Sequence, residues 1–288
     1  MSEKSIEHTR IAVILIAHDR KDFILRAIDS INNQIKRPDE VIIVKSFQDE
    51  TIDKSIEENN FINIFTSLVA EGDKIGEALK QTTADVICFL EDDDQFLPNK
   101  IERIWNLFQN NKVLYVHNNF TLIDDEMKHM DFNLANNIKI SRNDGTSNLT
   151  GKLAVVRHLM EKGLAFNLSS ISVKRELLEQ GFLKQVHTGV DEMIFVKSIE
   201  NGLIIHTGEE LTVYRYHHHK ARNSQESEIE YLKWIEKFLG SLISFLDNNN
   251  TKLANSWARS RVRRLKGKRK IVLIKRFISR HRRTNTAS

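Results

Sequence analysis

Short runs of apolar, often β-branched residues recur along the first part of the chain. In the segments Ile11–Ala17 and Val86–Leu90 every residue is apolar, which is typical of strands that are buried on both faces. The same pattern predicts further strands at Val41–Val44, Ile62–Phe65 and Val113–Val116.

Amphipathic stretches separate these runs and predict helices. In Lys21–Ile35 the apolar residues recur at helical spacing; they are Phe23, Ile24, Ala27, Ile28 and Ile31. Further helices are predicted over Thr51–Glu58, Asp73–Gln81 and Ile101–Asn110. Alternating strands and helices predict an α/β fold whose mainly parallel sheet is covered on both faces, with ligands bound beyond the carboxyl ends of the strands.

The second half of the chain is less regular. Residues 124–150 are polar and rich in asparagine, which predicts a loop or lid near the site. The later apolar patterns predict buried chain at Leu164–Val173, a helix at Asp191–Glu200, strands at Leu203–Ile205 and Leu211–Tyr216, and helices beyond Glu226. We predict an α/β domain over residues 1–224 and a helical region over residues 225–288.

Composition indicates a globular protein in a reducing compartment. The 288 residues are 40% hydrophobic, and Cys88, the one cysteine, cannot form an internal disulfide. Cys88 lies in an apolar run and is interpreted as a small buried residue rather than a nucleophile. We expect neither a secretory signal nor a membrane-spanning helix. The predicted location is cytoplasmic, with peripheral attachment to the inner face of the cell membrane as an option.

Charge is distributed unevenly along the chain. Of 43 Lys and Arg residues, 14 follow Asp247, and all 39 Asp and Glu residues lie within residues 1–247, which therefore carry 29 − 39 = −10. Within 259–283, apolar positions recur among basic ones, as in an amphipathic helix on an anionic membrane. A solvated basic extension and a nucleic-acid-binding tail are the alternatives, and nucleic acid is the less favoured of them.

Four consecutive acids, Glu91–Asp94, follow the apolar run Val86–Leu90. Like charges this close raise one another's pKa unless a cation offsets them. Carboxylate oxygens are the ligands that Mg²⁺ and Mn²⁺ prefer, and such ions commonly bridge a protein to substrate phosphates. The cluster therefore predicts a metal site at a strand end. The alternative is a solvated acidic turn that caps the helix after Pro98.

The order of these segments resembles glycosyltransferase family 2. The resemblance rests on the first strand and helix, on Pro38–Val44, and on Phe89–Asp94 followed by Pro98. It covers roughly residues 10–224. It implies the GT-A fold, a Rossmann-like nucleotide-sugar domain, and an inverting, metal-dependent transfer of a sugar from a UDP- or GDP-linked donor to a glycan or lipid-linked acceptor.

The resemblance also implies roles for the acidic residues. Asp93 corresponds to the main metal ligand of the family, with Mn²⁺ or Mg²⁺ as the cofactor. Glu91 stands where the family usually has an aspartate, and Asp92 and Asp94 are the neighbours that can assist in holding metal or nucleotide. His217, in the segment Tyr214–His217, corresponds to a further metal ligand or to a contact of the diphosphate, and a polar turn of three histidines is the alternative.

Nucleotide contacts are implied at the loops after the first two strands. The first loop is Ala17, His18, Asp19 and Arg20. The second should hold a pair of aspartates, but the chain reads Lys-Ser-Phe-Gln-Asp, so Asp49 is a displaced substitute and base recognition stays open. Lys74 and Arg215 are candidates for contact with the diphosphate. For Lys74 the alternative is a solvated lysine at a helix start.

An inverting transfer needs a base that takes the proton of the acceptor hydroxyl. Family resemblance, counted back from Gly202, assigns this role to Asp191, with Glu192 as the nearest alternative. Both acids would equally suit the N-terminus of a helix. Asn167 and Ser169 are weaker candidates for the acceptor side. A catalytically inactive binding module is the other function to weigh, because the aspartate pair is missing.

Overall fold

One twisted sheet organises the computed structural model, which describes residues 9–18, 20–123, 129–130, 138–140, 153–215 and 225–284. Asp19, His217 and most of the predicted lid at 124–150 lie outside the described residues. The strands are β1 Ile11–Ala17, β2 Glu40–Lys45, β3 Ile62–Phe65, β4 Val86–Glu91, β5 Gln95–Phe96, β6 Val113–Ile123, β7 His129–Met130, β8 Ile138–Ile140, β9 Ile171–Lys174 and β10 Leu203–Arg215.

The sheet order is β3-β2-β1-β4-β9-β6-β10-β5, with β7 beside β6 and β8 beside β10. The strands β1, β2, β3 and β4 pair in parallel, as do β6 and β10. Only β9 runs against both of its long neighbours, β4 and β6. The predicted α/β fold with a mainly parallel sheet is therefore confirmed.

Helices cover both faces of the sheet. They are α1 Lys21–Asn32, α2 Glu50–Glu58, α3 Glu71–Leu79, α4 Lys100–Phe108, α5 Leu153–Glu161, α6 Arg175–Leu178, α7 Val190–Asn201, α8 Gln225–Asn248 and α9 Lys252–Thr284, with a 3₁₀ turn at Leu168–Ser170. Strand β1 shows why two layers form, because all seven of its residues are buried. Alternate side chains of β1 enter two hydrophobic clusters, one on each face.

The C-terminal helices pack against one of these faces. Phe238 and Phe245 of α8 and Trp257 and Leu265 of α9 are buried in the same cluster as α3 and α7. Burying aromatic side chains of this size supplies roughly 2–3 kcal/mol each, so the amphipathic pattern of α8 is satisfied by the sheet domain. The division into domains at residues 224 and 225 stays a prediction.

The largest differences from the predicted boundaries are at β6, β10 and α1. Strand β6 continues to Ile123, well past Val116, because the polar side chains of His117 and Asn118 are buried with hydrogen-bond partners. The two strands predicted near the end of the sheet domain form one strand, β10, with register shifts around Gly208. Helix α1 ends at Asn32, and the backbone N–H of Ile35 donates to Pro98 O. Among the described residues no helix is long and apolar enough to span a membrane.

Candidate active site

The acidic motif lies at the carboxyl end of β4, where β1 and β10 also end. Asp92, Asp93 and Asp94 are only 1%, 6% and 1% exposed. The Asp92 Oδ2 atom accepts the backbone N–H of His18, and Asp94 Oδ1 accepts that of Arg215, at 2.9 and 3.0 Å. The motif is therefore buried between the two neighbouring strand ends, which does not agree with a solvated acidic turn.

Arg20 supplies positive charge to this motif. Its guanidinium forms an ion pair with Asp93, and its Nε atom lies 3.7 Å from Asp92 Oδ1. A cation beside clustered carboxylates stabilises their ionised forms. The first loop that we predicted to contact nucleotide thus meets the acidic motif directly.

The two carboxylate oxygens of Asp94 differ, because Oδ1 accepts the Arg215 N–H and Oδ2 does not. Among the described residues its buried Oδ2 atom has no hydrogen-bond partner. Burial, and then the charge of Glu91, raise the pKa of Asp94 to about 8. Burial also raises the pKa of Glu91. An orphaned carboxylate oxygen beside further carboxylates is a donor set that suits Mg²⁺ or Mn²⁺.

These donors are not arranged as a formed metal site. The described part of the chain contains no group of three His, Cys, Asp or Glu side chains placed to hold an ion, and His217 lies outside it. The side chain of Asp93 is engaged by Arg20. The residues fit a divalent ion in chemistry, and in this structure Asp93 is paired with Arg20.

Lys74 lies under the first loop and is fully buried. Its Nζ atom donates to Ala17 O at 3.1 Å and lies 3.0 Å from His18 Nδ1. The alternative of a solvated lysine is therefore wrong. Helix α3 carries this amine to the end of β1, where it bonds to the loop predicted to contact the nucleotide.

The loop after β2 holds a lysine-flanked aromatic ring. The Nζ atoms of Lys21 and Lys45 lie 5.1 and 5.5 Å from the centre of the Phe47 ring. Asp49 caps α2 by accepting the Ile52 N–H at 3.3 Å, and it lies 3.5 Å from Lys21 Nζ. Asp49 therefore acts as the N-cap of α2, and this role accounts for its position. No contact among the described residues supports Asp49 as the replacement for the missing aspartate pair.

Arg215 packs beneath the motif. Its side chain is 1% exposed, its guanidinium stacks 4.5 Å from the centre of the Phe23 ring, and its Nε atom donates to Asp93 O at 3.3 Å. In this arrangement Arg215 holds the backbone of the acidic motif at Asp93 and packs against the first helix at Phe23.

Asp191 opens into a cavity of about 180 Å³. It lies in the first turn of α7, after Gly189, and shares the cavity with Glu91, Thr188 and Tyr214. Burial, and then the charge of Glu192, raise the pKa of Asp191 to about 7. A carboxyl group with such a pKa can exchange a proton near neutral pH.

Glu192 has a different environment. Both of its carboxylate oxygens accept hydrogen bonds from Arg261 of α9, at 2.6 and 3.2 Å, and it does not line the cavity. The structure thus brings Asp191, and not its neighbour, to the cavity beside the acidic motif.

Sequence reasoning missed Glu71 as a site residue. Glu71 lines the same cavity as Asp191 and Glu91. Burial, and then the charges of Glu91 and Asp191, raise the pKa of Glu71 well above its usual range. The one feature of the sequence that could have indicated a site role for Glu71 is its position directly before Gly72, at the start of a turn.

An aromatic wall and a polar turn close the cavity. Phe166 and Tyr214 meet edge to face at 5.3 Å, and Asn167 lies beside them. Ser169 Oγ accepts the Glu91 N–H at 3.0 Å, so the Leu168–Ser170 turn is bonded to the end of β4. Asn167 and Ser169, predicted near the acceptor, thus lie next to the motif.

Lys100 fastens the strands below the motif. It is fully buried, and its Nζ atom donates to Asn118 Oδ1 and Thr212 Oγ1, both at 3.0 Å, and to Ser169 O. Burial lowers the pKa of Lys100 to about 7. These contacts tie α4 to β6, to β10 and to the turn before β9.

The fold is that of a GT-A glycosyltransferase. The sequence profile described as glycosyl transferase family 2 matches residues 12–160, more than half of the chain. The chain therefore belongs to glycosyl transferase family 2. The predicted family and enzyme class are confirmed.

Two bacterial relatives are named as uncharacterized glycosyltransferases. One, from Nostoc sp., is 27% identical over 239 residues, which cover 77% of this chain and 70% of that protein. The other, from Rickettsia bellii, is 25% identical over 137 residues. These residues cover 46% of this chain and only 20% of the Rickettsia protein, so the chain matches a small part of that relative.

Two solved structures share the fold at low sequence identity. TarS 1–349 of S. aureus, in complex with UDP, has a TM-score of 0.58 and 12% identity, over 88% of this chain and 69% of that one. The mannosyltransferase PcManGT of Pyrobaculum calidifontis, in complex with GDP-Man and Mn²⁺, has a TM-score of 0.52 and 13% identity, over the same shares of the two chains.

Proposed function

We propose that this protein transfers a sugar from a UDP- or GDP-linked donor to a hydroxyl group of a glycan or lipid-linked acceptor, with inversion. The observation that carries the proposal is the cavity that Asp191 shares with Glu91 at the end of the acidic motif. In this cavity Asp191, the candidate base, whose pKa is raised to about 7, lies beside the carboxyl end of a strand. Ligands of mainly parallel sheets bind at such strand ends. Structures with the same fold hold UDP or GDP-Man.

In the proposed reaction the Asp191 carboxylate takes the proton of the acceptor hydroxyl. The acceptor oxygen forms a bond to the anomeric carbon while the bond from that carbon to the diphosphate breaks. A divalent ion held by Asp93 and Asp94, with Glu91 nearby, would neutralise charge on the departing diphosphate. Lys74 orders the Ala17–His18 loop through its two contacts.

Titration calorimetry of UDP and GDP, each with and without Mn²⁺, tests the nucleotide site. We expect metal-dependent binding of one nucleotide, and its loss in Asp93→Ala. Glu102→Ala removes an exposed carboxylate from α4 and is the matched control, because it should leave binding unchanged. Equal binding by wild type and Asp93→Ala would refute the metal role of Asp93.

The isosteric variant Asp191→Asn tests the base. We expect nucleotide affinity to be retained and the rate of transfer to fall by roughly 10²–10⁴. Transfer at the wild-type rate would remove Asp191 from the mechanism.

A binding module without turnover is the second candidate. One observation in its favour is the ion pair between Arg20 and Asp93, because it engages the main candidate metal ligand. Another is the missing aspartate pair: the segment that should hold it begins with Lys45, whose Nζ atom pairs with Asp53 at 2.7 Å. Metal-dependent nucleotide binding with no release of sugar from any UDP- or GDP-sugar would support this alternative over the enzyme.

Helix α9 is the proposed contact with an anionic membrane surface. Its exposed basic residues include Arg263, Lys266 and Lys268, and Ile271 and Leu273 are 56% and 44% exposed next to them. Each basic residue near an anionic surface adds about 1 kcal/mol of attraction. Such a contact would keep the protein peripheral, on the cytoplasmic side.

Co-sedimentation with phosphatidylcholine vesicles, with and without phosphatidylserine, tests this contact. Binding that needs phosphatidylserine and weakens in a Lys266→Glu/Lys268→Glu variant is expected. Lys112→Glu, on the sheet domain, is the control. Equal sedimentation with both vesicles would contradict a role for charge, and duplex DNA binding by the same helix would favour the nucleic-acid alternative.

A further inference from the structure

The loop that leads to Asp191 is bonded to a C-terminal helix. Ser241 of α8 is fully buried, and its Oγ atom accepts the backbone N–H groups of His187 and Thr188, at 2.9 and 3.1 Å. These two N–H groups belong to residues that precede α7, so they cannot form hydrogen bonds inside that helix. Their acceptor is therefore supplied by a segment more than fifty residues further along the chain.

The next residue of the loop packs against the same helix. Gly189 has a φ angle of 77°, and a Cβ atom built on it would lie 2.4 Å from Cε2 of Phe238. The phenyl ring of α8 thus touches the backbone at the residue that caps α7. No side chain caps α7 at this position, so contact with α8 defines where the helix starts.

Helix α9 completes the contact from the other side of Asp191. Arg261 binds both carboxylate oxygens of Glu192, and its guanidinium lies 5.4 Å from the centre of the Phe238 ring. A bidentate arginine–carboxylate pair fixes orientation as well as distance. Asp191 is therefore flanked, on both sides along the chain, by residues that the C-terminal helices hold.

We propose that α8 and α9 position the base of the reaction, and that Ser241 and Arg261 are positioning residues for Asp191. The inference rests on the proposed function, in which Asp191 takes the acceptor proton. A displacement of about 1 Å at a reacting group can reduce a rate about 10²-fold. Three contacts on consecutive parts of one short segment restrict such a displacement.

Titratable groups around Asp191 come from several elements. They are Glu71 of α3, Glu91 of β4, Tyr115 of β6, Glu192 of α7 and Tyr214 of β10. Neither Ser241 nor Arg261 touches this cavity, so their replacement leaves the groups that would meet the substrate in place. Ser241 would therefore act through the position of Asp191, and Arg261 would act through that position and through the charge of Glu192, which raises the pKa of Asp191.

The kinetic test compares Ser241→Ala and Arg261→Gln with Arg269→Gln, in solution without vesicles. Arg269 is the matched control, because it forms a similar pair from the same helix, but with Glu236 of α8. The measured reaction is release of UDP from UDP-GlcNAc, or of GDP from GDP-mannose, with water as acceptor. We expect kcat to fall about tenfold or more in the first two variants with KM unchanged, and Arg261→Lys to recover part of the loss.

Wild-type kcat in both Ser241→Ala and Arg261→Gln would overturn the inference. So would a rise in KM with kcat unchanged, because that result indicates altered donor binding rather than a displaced base. Asp191→Asn separates the two ideas: if it keeps full activity, the proposed base is wrong, whereas if it alone is inactive, only the positioning role is wrong.

Amide hydrogen exchange gives a readout that does not depend on turnover. In Ser241→Ala we expect faster exchange at His187 and Thr188, with exchange in α7 unchanged. Arg269→Gln should leave this segment as in the wild type. Unchanged exchange at both amides in Ser241→Ala would also overturn the inference, whichever donor the protein uses.

Discussion

Replacement of Gly189 by alanine should destabilise the protein through a collision with Phe238. The φ angle of 77° is left-handed, and this conformation costs a residue with a Cβ atom roughly 1–2 kcal/mol. The new Cβ atom would lie 2.4 Å from one ring carbon and 3.0 Å from the next. Overpacking of this kind costs roughly 1–3 kcal/mol, so the expected total is about 2–5 kcal/mol.

Gly181→Ala is the matched control for this prediction. Gly181 has a similar φ angle of 69°, but no atom lies within 4 Å of the added Cβ. It should therefore show the backbone cost alone, roughly 1–2 kcal/mol. In a Phe238→Leu background the side chain is smaller, and Gly189→Ala should lose most of its overpacking cost.

Thermal unfolding followed by circular dichroism measures the difference. Each kcal/mol moves Tm by roughly 2–4 °C in domains slightly smaller than this one. Gly189→Ala should therefore melt several degrees below Gly181→Ala. Equal melting temperatures would refute the reasoning, because they would mean that Phe238 does not confine the backbone before Asp191.

Three further predictions concern buried ionisable groups. Burial raises the pKa of Asp191 to about 7, and a general base must be ionised to accept a proton. The value of kcat/KM should therefore rise with pH and reach a plateau above about pH 7. A midpoint near pH 4 would contradict this prediction. Burial, and then His206, lower the pKa of His117 to about 3. As the pH falls below the ordinary histidine pKa of about 6.5, His117 takes up a proton in the unfolded chain but not in the folded protein. The free energy of unfolding therefore decreases between about pH 6.5 and pH 3. Urea unfolding should show a smaller loss between pH 7 and 5 in His117→Asn than in wild type, and parallel curves would refute it. Lys100→Met removes the donor to three buried oxygens and should cost on the order of 3 kcal/mol in urea unfolding, whereas exposed Lys112→Met should cost almost nothing.

Apolar patterning was sufficient to predict the parallel part of the sheet. In β1 and β4 nearly every residue is apolar because both faces are covered, so the strands could be read directly from the sequence. The same rule ended β6 too early. His117 is polar but buried, with its Nδ1 atom 2.9 Å from Nδ1 of His206. A partner 89 residues away leaves no local signal.

The candidate site was predictable where it follows a strand end. The acidic motif after β4 was located by its run of charges. The burial of Lys74 was not predictable, because it depends on acceptors at the end of β1. Glu71 was missed for a similar reason, since only folding brings α3 beside α7. The catalytic and metal-binding roles of the predicted residues stay predictions.

The short reversed strand β9 divides the sheet into two parallel groups. It pairs with β4 through three residue pairs and with β6 through three more, so the two groups meet along a narrow seam. The acidic motif lies at one end of this seam, and Asp191 faces it from the helices above. Separating the two groups at β9 would break three residue pairings, whereas separating β1 from β2 would break six. The backbone pairing between the groups is therefore weaker than that within the first group, and this weaker pairing lies next to the acidic motif.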